Sequence, residues 1–174
     1  MTKDEFGRVA NAIRTAYSND KFLPNKEAIE LWYQFFKDLP YEAVYTALMK
    51  WIATEKWIPS IAELRKNAFT VMNGELPTAD EAWGRVLTAV RDHGIYDQKG
   101  AMDSLDDITR NVVRKIGFRN ICLSENIGIE RSNFLKMYEK QADNYMREGQ
   151  IPSSVKSLAS SIQAKMIGVN PSEE

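Results

Sequence analysis

Apolar residues recur at i, i+3, i+4 and i+7 along almost the whole 174-residue chain, and no sustained two-residue alternation interrupts them. A chain patterned this way buries its apolar surface by packing helix on helix, so the sequence predicts an all-α fold. The spacing predicts a first helix from about Lys3 to Ser18, with Phe6, Val9, Ala10 and Ile13 on one face. A second, from Asn25 to Asp38, starts at a capping asparagine and carries Ile29, Trp32, Phe35 and Phe36. Pro40 suits the first turn of a third, whose stripe is Val44, Ala47, Leu48, Trp51 and Ile52.

The stretch WIATEKWIPSIAEL, residues 51–64, is where that third helix must end. Pro59 pushes Ile58 out of the helical region, and Ser60 with Glu63 forms an S-x-x-E capping box that opens a fourth helix. Ile61, Leu64, Ala68 and Val71 then face inward. On this reading Trp51 is core and Trp57 packs across the corner, which makes the corner a scaffold. Residues 73–78 (NGELPT) break the pattern with Gly and Pro and mark a domain boundary. Thr78 and Glu81 form a second capping box, starting a helix with Ala82, Trp83, Val86, Leu87 and Val90 that ends at His93-Gly94. A small helix through Ala101 and Met102 follows, then one with Ile108, Val112, Val113 and Ile116. Gly117 separates it from Phe118, Ile121 and Cys122. A long helix from about Glu130 to Glu148 carries Phe134, Leu135, Tyr138, Ala142 and Tyr145. The expected organisation is two small helical domains, about four helices over 1–74 and five to six over 78–168, with a frayed tail at 169–174.

Charge and composition narrow the function. The net charge is −1; residues 1–75 carry ten basic and ten acidic side chains, residues 76–174 thirteen and fourteen. Neither part has the positive excess of a protein held on nucleic acid by phosphate neutralisation. No apolar run approaches the roughly 20 residues that span a bilayer, and MTKDEFGRVANAI lacks the apolar core of a signal peptide. A cytoplasmic protein with no membrane partner is expected. The single cysteine, Cys122, leaves no internal disulfide and no thiolate cluster for a metal.

Catalytic chemistry finds few residues to use. His93, the one histidine, sits at a helix C-terminus, where the macrodipole favours it. Cys122 lies in an apolar setting and reads as a structural thiol. The segment from Gly94 to Gly100 has the wrong spacing for a phosphate-binding loop, and no Lys-Ser/Thr follows it. Asp103, Asp106 and Asp107 precede a helix, whose dipole they favour, without the spacing of a calcium loop. No catalytic residue, metal site or cofactor is expected.

Two features suit binding. Arg110, Arg114, Lys115 and Arg119 form a basic strip fit either for phosphates or an acidic partner, or for solvent with nearby acids as counterions. The final helix, after Ile151-Pro152-Ser153, aligns Val155, Leu158, Ile162 and Met166 in a narrow stripe flanked by serines and alanines. That stripe either completes the second domain's core or lies in a partner's groove.

The run ELWYQFFKDLPYEAVYTALMKWIATEKWIPSIAELR resembles the N-terminal domain of the helicase loaders and inhibitors encoded by phages and prophages of Gram-positive bacteria. The matching positions are Trp32, Phe36, Asp38, Tyr41, Val44, Ala47 and Leu48, then Lys56, Trp57, Pro59, Ser60, Ile61, Ala62, Glu63 and Arg65. The segments DEAWGRVLTAV, RKIGFRNICLSE and RSNFLKMYEKQADNYMREGQIPSSV look like a region often fused to that domain. The resemblance implies a protein that binds a hexameric DnaB-type replicative helicase, restrains it, and delivers it to single-stranded DNA without an ATPase of its own. A phage origin-binding protein and single-stranded DNA are further partners it implies. The terminal stripe is then the expected helicase contact, with the Arg110–Arg119 strip secondary. The competing readings are a DNA-binding component of the same replication module and an adaptor for another host protein.

Overall fold

Helices supply all the regular structure of the described residues. The computed structural model of the protein describes residues 1–19 and 21–167, so the expected frayed tail lies outside the described residues. Contacts divide the chain into two compact units. One is residues 1–75 together with the segment from Met146 onward; the other is Leu76–Tyr145.

The first unit begins with α1 (Lys3–Tyr17), α2 (Lys26–Phe36), α3 (Tyr41–Thr54) and α4 (Ile61–Asn73). Caps set three of the starts. Thr2 with Glu5, and Ser60 with Glu63, form reciprocal capping boxes, and the Asn25 side chain accepts from the Ala28 N–H at 2.9 Å. Pro40 occupies the cap of α3, just outside the helix. α3 packs chiefly on α4, and α1 on α3. The core between them holds Phe6, Val9, Ile13, Phe36, Val44, Leu48 and Leu64, all fully buried and each contributing roughly 1.5–3 kcal/mol. A file of rings, Phe22, Trp32, Phe36 and Phe6, links α2 to α1 with centroids 5.0, 5.9 and 6.2 Å apart.

The corner after α3 differs from expectation at two residues, since Trp51 is not in the core. Trp51 is half-buried, and its indole N–H donates to the Trp57 carbonyl at 2.8 Å. Trp57 itself is 79% exposed and does not pack across the corner. Glu55 leaves the helix in extended backbone, and Pro59 is the residue the corner buries. The Trp57 carbonyl is held by Trp51 while its side chain stands in solvent.

The second unit contains α5 (Ala79–His93), α6 (Gln98–Asp103), α7 (Asp107–Ile116), α8 (Phe118–Leu123) and the greater part of α9 (Ile127–Gln150). Thr78 and Glu81 cap α5 reciprocally. Trp83, Val86, Val112, Val113, Phe118, Ile121, Phe134 and Tyr138 make its core. Trp83 lies 5.3 Å from Phe134, which lies 5.7 Å from Tyr138. The Tyr138 hydroxyl donates to the Pro77 carbonyl at 3.0 Å, and burial pushes its pKa up to about 12. Leu87 and Tyr145, expected inward, are each 41% exposed. Leu87 follows the buried Val86 by one residue, about 100° around the helix, which turns it off the core face. His93, the last residue of α5, places Nδ1 2.7 Å from Asp97 Oδ2, and Asp97 Oδ1 accepts the Gly100 N–H at 2.9 Å.

The last helix, α10 (Ser153–Ile167), corrects the expected partition. It belongs with the first unit rather than with a second domain over 78–168: its first N–H is bonded to Asp38 in the turn after α2, and Arg65 of α4 holds the Gln150 carbonyl just before it.

Candidate partner-binding surface

Arg65 lies on the inward stripe of α4, four residues after Ile61 and three before Ala68, and is 3% exposed. A guanidinium there is tolerable only if every donor finds an acceptor. Its Nη1 and Nη2 grip Asp38 in a bidentate pair, at 2.8 Å to Oδ1 and 3.1 Å to Oδ2. Nη1 also donates to the Phe35 carbonyl, and Nε to the Gln150 carbonyl at the end of α9. The Ser153 N–H, first of α10, donates to Asp38 Oδ2 at 3.2 Å. Asp38 therefore caps a helix that begins 115 residues further along the chain. Burial alone would raise the Asp38 pKa, but the Arg65 guanidinium and the Ser153 N–H together hold it below the usual value.

Gly149 completes this anchor. A Cβ at that position would overlap the Phe69 ring, so the end of α9 lies flat on α4 only because residue 149 has no side chain. Gly149→Ala is expected to force the ring or the helix end aside at a cost of about 1–3 kcal/mol. Faster amide exchange over residues 146–157, read by mass spectrometry, is the expected sign; wild-type protection there would refute the close approach.

Beside the anchor lies a groove of about 510 Å³, formed by Phe35, Ile61, Ala62, Ile151, Pro152 and Val155. Beyond it, α10 turns its apolar residues outward. Val155 is 42% exposed, Leu158 61%, Ile162 50% and Met166 83%. Among residues 153–166 only Ser161 and Ala164 are even half-buried. The stripe thus does not complete the second unit's core; it is presented to solvent. Beyond its first residues α10 is exposed on most of its circumference, and the four large apolar side chains are exposed with it.

The basic strip is only partly what its sequence suggested. Arg110 is folded back onto the chain, donating to the Met102 carbonyl at 2.7 Å, the Leu105 carbonyl at 2.6 Å and Asp107 at 2.8 Å. It closes the turn after α6, which leaves its side chain 26% exposed. Arg114, Lys115 and Arg119 are exposed and make no ion pair with any described residue. Among the described residues no three His, Cys, Asp or Glu side chains gather as a metal site would need, and no helix is long and apolar enough to cross a membrane.

The signal for the anchor was present in the sequence, in the form of a charged residue on a buried stripe. Asp38 and Arg65 entered the reading only as positions of a resemblance, and their link to Gln150 and Ser153 was missed. Residues 1–65, ending at Arg65, match the family model for the N-terminal domain of the helicase loader and inhibitor of phage SPP1. The match covers that segment alone, which makes residues 1–65 similar to a domain of a phage helicase loader. No curated protein and no solved structure matches the chain.

Proposed function

We propose that the protein binds a hexameric DnaB-type replicative helicase, restrains its unwinding, and delivers it to single-stranded DNA when phage replication initiates. It acts by binding, in the cytoplasm, without catalysis or a cofactor of its own. The observation that carries this reading is the pairing of a loader-family domain with an outward apolar helix tied to that domain's buried Arg65–Asp38 pair. The helicase contact falls on Val155, Leu158, Ile162 and Met166. A loader shifts the ring between closed and opened forms only by its differential affinity for the two. Several copies on one hexamer make a modest affinity per copy sufficient.

Purified protein mixed with the host's replicative helicase, without nucleotide, is expected to co-elute in size-exclusion chromatography at a defined ratio by light scattering. Leu158→Ser/Ile162→Ser should weaken that complex roughly 100-fold, the loss expected of two central apolar anchors. Both substituted residues are exposed, so the variant should keep its helicity by circular dichroism. A complex of wild-type strength with this variant would move the contact elsewhere. A salt-sensitive shift of single-stranded DNA with no helicase complex would favour a DNA-binding component of the same module, acting through Arg114, Lys115 and Arg119.

A further inference from the structure

We infer that the groove beside the Arg65–Asp38 anchor and the outward stripe of α10 form one continuous seat for an acidic amphipathic helix of the helicase. The inference rests on the loader reading and adds the chemistry of the segment that is bound.

Val155 joins the two parts, since it lines the groove and begins the stripe. From Val155 to Met166 the stripe extends roughly 16 Å, three turns at 1.5 Å per residue. An apolar track of that length, with a concave end, matches one face of a helix laid along it. Charge specifies which helix. Residues 146–167 carry Arg147, Lys156 and Lys165 against the single acid Glu148. With 3.6 residues per turn, Lys165 falls beside Leu158 on one flank of the stripe and Lys156 falls on the other. Arg147 lines the groove itself.

Of the acids nearby, two face a cation and one faces only a neutral partner and keeps its charge. Asp38 is held by Arg65 and Ser153, and Glu63 by Ser60. Glu148 stands 3.9 Å from Lys156. With Asp38 offset by Arg65 and Glu148 by Lys156, Arg147 and Lys165 outnumber Glu63 and leave this apolar track a weakly positive border. Such a border attracts a helix with acidic flanks and repels a basic one of the same shape.

The test is charge reversal in the full-length protein: Arg147→Glu/Lys156→Glu/Lys165→Glu, with Arg114→Glu/Lys115→Glu/Arg119→Glu as the control in the second unit. Affinity for the helicase is expected to fall about 30-fold for the first variant. The control should stay within about threefold, and the wild-type salt dependence should flatten only in the first variant. All three reversed residues are exposed, and unchanged circular dichroism would confirm that the loss is one of recognition. A photo-crosslinking residue at Leu158 should capture a helicase peptide that is amphipathic and acidic. Equal affinity after reversal, or capture of a basic segment, overturns the inference and leaves the loader reading standing. Absence of any wild-type complex removes the loader reading, and this inference with it.

Discussion

Arg65→Ala is expected to cost the first unit about 3–5 kcal/mol, the usual penalty for removing one partner of a buried ion pair. The loss exceeds that of the contacts themselves, because the Asp38 carboxylate, whose side chain is 18% exposed, is left without its counterion. The Phe35 and Gln150 carbonyls lose donors as well. Urea denaturation should show the drop, and amide exchange over residues 150–157 should rise well before global unfolding. If exchange in that segment stayed at the wild-type rate, Arg65 would not be what anchors α10. The double variant Asp38→Leu/Arg65→Met should recover much of the stability without restoring the cap on Ser153, which separates the two roles.

The same pair sets an acid limit. Asp38 has a folded pKa below its ordinary 3.8, so its stabilisation is fully present above that value. It is lost as pH falls below 3.8 and through the lowered pKa, since the unfolded chain then binds the proton more readily. The end of α9 and the start of α10 should accordingly loosen in acid.

Phe134→Ala is expected to destabilise the second unit by about 3–5 kcal/mol, through lost transfer free energy and the cavity left between Trp83 and Tyr138. Phe134 is completely buried, and two rings lean on it, so the site has little freedom to collapse. Trp83 reports on this unit alone if Trp32, Trp51 and Trp57 of the first unit are changed to phenylalanine. Its emission should shift red at a lower urea concentration in the Phe134→Ala background. An unfolding free energy within about 0.5 kcal/mol of the parent would mean that α9 does not close this core.

Helix existence was legible because periodicity and capping are local. Ser60 and Glu63 need only each other, three residues apart, to start α4, and Thr78 and Glu81 start α5 the same way. The stripes of α1 and α3 were readable for the same reason. Errors came where a side chain's direction depends on a distant backbone. Trp57 sits in an apolar stretch, yet its carbonyl is committed to Trp51 and its ring is left outside. Arg110 has the spacing of a surface strip, yet carbonyls of the preceding turn claim it.

Periodicity and caps, read from the sequence alone, determined that this chain is helical, where most of its helices begin, and which residues are amphipathic stripes. They could not say whether the stripe of α10 is buried or exposed, since an inward and an outward stripe have the same spacing. Tertiary structure decided that. Asp38 and Arg65, 27 residues apart, bind Gln150 and Ser153 from the far end of the chain and tie the start of α10 to the first unit. Such a pair is favourable only when burial and three converging polar groups are assembled at once, and no local segment contains that condition.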